Sequence, residues 1–312
     1  MRRVSTILLA LAATSYFLPV AGQAQPFLAK TPWNSYGPGP LFNMDYSTFA
    51  GSDELTYVEF YIQVGYDGLE FVQLENRFRA SYELTLSVLD LQGKVVAVRS
   101  GRDTFELPTR EATRSPHRAR ISMMAFLLPP DVLELDAVLC DLQSGRTSRI
   151  TSAFRVRRFS PDSLRVSDLQ FSQNIYEDKP GNPYVKNGRF IEPMAVRNFD
   201  EELTPYLYVY FELYNLKTPC RTEAERTYTT EYIFTDEIRN TVAHLRRTSI
   251  KPGTLAAHSL RFPVKHLEPG RYQLTVRVRD NASGLTSETT RSFAVVDVTP
   301  TSDATQLIGT ND

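Results

Sequence analysis

The stretch DLQSGRTSRITSAFRV, Asp141 to Val156, is written again as DNASGLTSETTRSFAV, Asp280 to Val295, at an offset of 139 residues. Both copies open on Asp, turn at a Ser-Gly pair (Ser144-Gly145 and Ser283-Gly284) and close on Phe-x-Val. The match runs upstream without a gap, setting Leu128 against Leu267, Pro130 against Pro269 and Leu135 against Leu274. After its proline turn each copy alternates with period two: Leu133, Leu135, Ala137 and Leu139 in one, Tyr272, Leu274, Val276 and Val278 in the other. That alternation marks a strand packed on one face, and glycine supplies the positive φ that a tight turn requires. Each copy therefore reads as the closing hairpin of an antiparallel domain.

Further upstream, YVEFYIQV (Tyr57 to Val64) overlays YVYFELYN (Tyr208 to Asn215) at an offset of 151. YELTLSVLDLQGKVVAV, from Tyr82, has a weaker counterpart in YTTEYIFTDEIRNTVAHL, from Tyr228. The drift in offset places extra residues in loops of the first half. Many short alternating strands between turn residues predict an all-β chain of two tandem Ig-like antiparallel β-sandwiches. The expected boundaries are 40–158 and 163–297, separated at RRFSPDS (Arg157 to Ser163), with a flexible tail over 298–312.

Residues 1–24 read as a signal peptide. Arg2 and Arg3 form a basic start, ILLALAATSYFLPVA is the apolar stretch, and small residues follow in AGQAQ. The apolar run is short for a membrane span and ends at Pro19. The expected location is outside the cytoplasm, periplasmic or extracellular, with no membrane span. Formal charge is −1 over the whole chain and −3 once Arg2 and Arg3 are gone. Both signs are mixed along the sequence, which argues against nucleic acid as a partner.

The run DYSTFAGSDELTYVEFYIQVGYDGLEFV with YELTLSVLDLQGKVV resembles the amino-terminal region of the GWxTD-domain family of exported bacterial proteins. KNGRFIEPMAVRNF, LYVYFELYNL and LEPGRYQLTVRVRDNASG are similar to that family too. The resemblance spans about Asp45 to Val295 and implies export and a sandwich fold. The naming motif is missing, since the only Trp is Trp33 in TPWNSYGPGP. The resemblance thus implies a relative reduced to the sandwich region, and it implies no activity.

Residues with chemical potential are scattered. His117, His244, His258 and His266 show no metal-ligand spacing, and no nucleophile motif is present. Cys140 shares a register with Glu134 and Asp136, and Cys220 follows Pro219 in a loop; two cysteines so far apart do not make a disulfide framework. Acidic groups at Asp53-Glu54, Glu177-Asp178 and Asp200-Glu201-Glu202 lack the spacing of a calcium loop and read as solvated loop ends. No catalytic residue, cofactor or metal is expected.

The most unusual feature is PYLYVYFELYN. As a strand it sends Leu207, Val209, Phe211 and Leu213 to one face, and Tyr206, Tyr208, Tyr210, Glu212 and Tyr214 to the other. Tyr206, Tyr208, Tyr210 and Tyr214 form the candidate interaction surface, suited to stacking on a glycan or docking a protein. The bland alternative is that these tyrosines stabilise the sheet by cross-strand pairing and lie beneath the long 172–199 connection. That connection carries Pro180, Pro183 and Pro193, and NGRF within it makes a good hairpin turn. The functional expectation is an exported, non-enzymatic interaction or scaffold protein of the envelope, with another envelope or secreted protein as partner. A glycan- or small-ligand-binding module built on the tyrosine face is the alternative.

Overall fold

The computed structural model describes residues 33–52, 54–115, 118–178, 183–218 and 220–297. The leader (1–24) and the tail (298–312) lie outside them, as do Asp53 and His117. Among the described residues the fold is nearly all β, with one single-turn α-helix at Arg110–Thr113 and mainly antiparallel sheets packed as sandwiches.

The first half contributes β1 (Trp33–Asn34), β2 (Phe42–Ala50), β3 (Thr56–Gly65), β4 (Val72–Leu74), β5 (Arg77–Leu89), β6 (Val95–Leu107), β7 (Ala119–Leu128), β8 (Val132–Asp141) and β9 (Thr147–Arg155). One sheet runs β1-β2-β3-β7; the other runs β6-β5-β8-β9, with β4 also paired to β5. The second half contributes β10 (Arg165–Val166), β11 (Gln170–Glu177), β12 (Val185–Lys186), β13 (Arg189–Pro193), β14 (Asn198–Phe199) and β15 (Tyr206–Tyr214). It continues with β16 (Thr227–Thr235), β17 (Thr241–Ile250), β18 (Ala256–Pro263), β19 (Gly270–Asp280) and β20 (Thr286–Val295). Here β12-β13-β11-β15-β18 form one sheet, with β10 also on β15, and β17-β16-β19-β20-β14 form the other. Strands β2, β3, β5, β6, β7, β8 and β9 are connected and paired as are β11, β15, β16, β17, β18, β19 and β20.

The correspondence reaches individual hydrogen bonds. Asp141 and Asp280 are both fully buried. The Asp141 carboxylate accepts from the backbone N–H of Gln143 at 2.8 Å and of Glu70 at 2.7 Å. The Asp280 carboxylate accepts from Ala282 at 2.8 Å and from Lys217 at 2.7 Å. Each aspartate thus caps its own turn and ties a distant loop to it. The N–H of Gly145 donates to the Asp141 carbonyl, and that of Gly284 to the Asp280 carbonyl, each at 2.8 Å. Those glycines take φ of 69° and 71°, a region closed to most side chains. The hairpin joining β5 to β6 repeats as well: Asp90 accepts from the N–H of Lys94, and Asp236 from that of Asn240.

Alternation fills two separate cores. Phe42, Met44, Phe60, Leu86, Leu135 and Phe154 anchor the first, which ends at Val156. Phe171, Phe211, Phe234, Leu274, Val276 and Phe293 anchor the second, which begins at Leu164. Trp33 stacks on Tyr46 at 5.3 Å between ring centroids and seals the first core. In the long connection, Asn187 and Gly188 turn β12 into β13 with φ of 48° and 74°, the signature of a type I′ hairpin.

Candidate functional site

On β15, Leu207, Val209, Phe211 and Leu213 enter the second core and are fully buried. The opposite face is divided. Tyr206 and Tyr208 are half-buried at the surface, and the Arg261 guanidinium of β18 lies 3.6 Å from the Tyr206 ring centroid. Tyr210 and Tyr214 are buried. The expected solvent-facing row of four tyrosines is therefore corrected to two. The reason is that the face meets a second protein surface, made partly by the 172–199 connection and partly by the first sandwich.

That junction joins the outer faces of the β2-β3 and β11-β15 sheets. The Tyr210 hydroxyl donates to Glu212 at 2.6 Å and accepts from the Asn187 amide at 2.7 Å. The Tyr214 hydroxyl donates to the other Glu212 oxygen at 2.6 Å and accepts from the Ala50 N–H of the first sandwich at 3.1 Å. Phe49, Ile191 and Tyr210 form a small apolar cluster between the sheets. Lys186 enters beside it, its ammonium 4.1 Å from the Phe49 ring centroid and 4.9 Å from that of Tyr210. It donates to Glu59 at 2.7 Å and to the Gln170 side chain. Tyr61 donates to Glu59 at 2.7 Å. At the offset of 151 the first half therefore places Glu and Tyr where the second places Tyr and Glu. Burial, reinforced by Glu212, pushes the Tyr210 and Tyr214 hydroxyls well above the ordinary phenol range, so both stay protonated donors.

A second cluster of charge completes the junction. Asp45 on β2 meets Arg197 at 2.9 Å and Arg291 on β20 at 2.6 Å, and all three side chains are at most 10% exposed. Arg291 also donates to the Tyr46 carbonyl at 2.5 Å and the Ser47 hydroxyl at 3.0 Å, and Arg197 to the Ser292 carbonyl at 3.0 Å. Asp168 accepts from the Thr48 N–H at 2.9 Å, from its hydroxyl at 2.7 Å and from Arg157 at 2.9 Å. Burial lowers the Arg197 pKa to about 10, leaving it charged at neutral pH. Burial works against the Asp168 carboxylate, but Arg157, Arg291 and Thr48 outweigh it and hold its pKa below the ordinary value. A polar cavity of about 280 Å³ lies beside this network, lined by Tyr46, Asp168, Arg197, Gln273 and Arg291 among others.

None of the junction's charges emerges from the sequence. Arg291 stands opposite Leu274, in the core-facing phase of Phe293 and Val295, whereas Asp45 and Glu59 occupy the polar positions of alternating strands, and alternation says only that such a face is polar. It does not distinguish water from another domain. The available signals are the aromatic residues flanking Asp45 and Glu59, and a charge, Arg291, in the apolar phase of its strand.

The remaining expected residues are dispersed. His244 and His266 are exposed, and His258 packs within the second sandwich. Asp200 caps its own turn, accepting from the N–H groups of Glu202 and Leu203. Cys140 and Cys220 are free, half-buried thiols in different sandwiches. Among the described residues, no group of three or more His, Cys, Asp and Glu side chains is arranged to hold a metal ion. Among them also, no helix is long and apolar enough to cross a membrane.

No protein-family model matches the chain, and no curated protein matches it. Among solved structures it is similar to a calcium-binding mutant of Bacteroides uniformis beta-glucuronidase 2, with TM-score 0.27, 12% identity, and coverage of 80% of this chain and 28% of that one. Bacteroides uniformis beta-glucuronidase gives TM-score 0.27, 12% identity and coverage of 76% and 26%. Bacteroides uniformis beta-glucuronidase 2 covalently bound to cyclophellitol-6-carboxylate aziridine gives 0.24, 14%, 76% and 26%. The chain spans about a quarter of the length of each. Similarity at that level carries no argument about substrate or reaction.

Proposed function

We propose that the chain is an exported, non-enzymatic interaction or scaffold protein of the cell envelope, with another envelope or secreted protein as partner. The observation that supports this reading is the junction. Removing Asp45, Arg197 and Arg291 from water costs several kcal/mol per ion unless geometry and hydrogen bonds compensate. Domains joined only by a linker would keep such groups solvated and move independently. A buried network fixes the spacing between the sandwiches, and fixed spacing is what a scaffold supplies. Chemical crosslinking of the protein in intact cells, followed by mass spectrometry, tests this. A recurrent protein partner crosslinked to the exposed sheet edges or near residues 172–214 is expected. Turnover of a substrate by the purified chain would overturn the non-enzymatic reading.

A second reading is favoured by the pair Tyr206 and Tyr208 beside Arg261. Two half-exposed rings with an adjacent guanidinium offer a small platform for a glycan. In that case Tyr206→Ser with Tyr208→Ser abolishes glycan binding and leaves the melting temperature within a few degrees of wild type. Unchanged binding rejects the platform.

A further inference from the structure

Charge is not balanced at the junction of the two sandwiches. Among the described residues, Asp168 pairs with Arg157 at 2.9 Å and Glu59 with Lys186 at 2.7 Å, one carboxylate to one cation in each case. Asp45 instead stands between two guanidiniums, Arg197 at 2.9 Å and Arg291 at 2.6 Å. One positive charge is left over, on side chains only 5% and 10% exposed. A buried charge without a counter-charge is costly. The strain shows at Arg197, whose pKa is lowered by burial first and by Arg291 as well.

The surplus charge borders open space. Arg197 and Arg291 both line the polar cavity of about 280 Å³, together with Gln273, Thr290 and Ser292. The Gln273 and Ser292 side chains make no hydrogen bond within the described residues, and the Thr290 hydroxyl shares one with Thr275 at 2.8 Å. Asp168 is the carboxylate of the lining, and its oxygens are already taken by Arg157 and by the Thr48 N–H and hydroxyl. Guanidinium, amide and hydroxyl donors with an uncompensated positive charge are the chemistry of an oxyanion receptor, since the guanidinium fork matches carboxylate and phosphate alike. The cavity is smaller than the roughly 300–1,000 Å³ of sites for drug-sized ligands, so its ligand is small. We propose that this cavity binds a small oxyanion, a phosphate or a carboxylate, which supplies the negative charge that Arg197 and Arg291 lack. Arg197 and Arg291 belong to the second sandwich, whereas Asp45 and Tyr46, which also borders the cavity, belong to the first. A bound anion therefore strengthens the contact between the two sandwiches. The inference goes beyond the interaction reading and does not depend on it.

Isothermal titration calorimetry of the purified full chain, with inorganic phosphate and separately with malonate, tests the site. Saturable binding of at least one of them is expected, and the melting temperature should climb as that anion is added. Binding of phosphate alone assigns the site to a phosphate source, and binding of malonate alone to a carboxylate source; either upholds the inference. Gln273→Glu places a carboxylate in the cavity without touching the contacts of Asp45. That variant should bind the anion about 10-fold or more weakly, because like charges now meet. In anion-free buffer it should melt at or above wild type, since its own carboxylate offsets the surplus charge. Arg277→Gln removes an exposed guanidinium of the same strand outside the cavity, and should leave the affinity unchanged. No saturable binding of either anion overturns the inference, as does binding that Gln273→Glu leaves unchanged. Both of those results leave the interaction reading standing, because that reading is decided by the crosslinked partner.

Discussion

His258 lies on β18 with its ring stacked on Phe211 at 5.2 Å between centroids and its Nε2 2.6 Å from the Tyr228 hydroxyl. Burial, and then the positive charges of Arg247 and Arg189, lower its pKa to about 4 from an ordinary 6.5. Between those values the unfolded chain binds a proton that the folded chain refuses. Stability therefore rises with pH from about 4 to 6.5 and is flat above, the span being roughly 2–3 kcal/mol. Thermal melts at pH 4.5 and 7.5 should show this loss, and His258→Phe should remove most of it. Asp168 acts in a separate window. Its folded pKa is below the ordinary 3.8, so its contribution is intact above that value and is lost as the pH falls further. A pH dependence in His258→Phe equal to that of wild type between pH 4.5 and 7.5 would show that His258 is not the source.

At the scale of elements, the repeated hairpin was legible because period-two alternation, a Ser-Gly turn and a closing Phe-x-Val are all local signals. The two aspartates that open the copies look equivalent in sequence but differ in what they hold. Asp141 accepts backbone N–H groups of its turn and of Glu70. Asp280 does the equivalent and also pairs at 2.5 Å with Lys251, whose side chain is 3% exposed. Asp141→Ala should cost about 1–3 kcal/mol, the desolvation of unpaired backbone donors. Asp280→Ala should cost about 3–5 kcal/mol, because a buried ammonium loses its only carboxylate partner among the described contacts. Denaturant unfolding of the two variants measures the difference; equal losses would mean that Lys251 finds water or another partner. The outward face of β15 was not legible in the same way. Tyrosines at alternate positions look the same from sequence whether they meet solvent, as Tyr206 and Tyr208 partly do, or Phe49 and Glu212, as Tyr210 and Tyr214 do. Long-range packing decides that, and no periodicity encodes it.

At the scale of the whole molecule, the two copies of the repeat form two sandwiches whose corresponding sheets pack against each other through their outer faces. The repeat offsets and turn residues carried the tandem arrangement in the sequence, whereas the packing of the two units rests on single residues far apart in the chain. Asp45 and Arg291, for instance, stand at opposite ends of it. Asp45→Asn removes the carboxylate from between Arg197 and Arg291, and is expected to cost roughly 3–5 kcal/mol and to free the sandwiches from each other. Differential scanning calorimetry of the whole chain tests the coupling most directly. If the junction fixes the two sandwiches as one body, the wild-type chain unfolds in a single transition with equal calorimetric and van't Hoff enthalpies, and Asp45→Asn splits that transition in two. Two independent transitions in the wild-type chain, unchanged by Asp45→Asn, would contradict it.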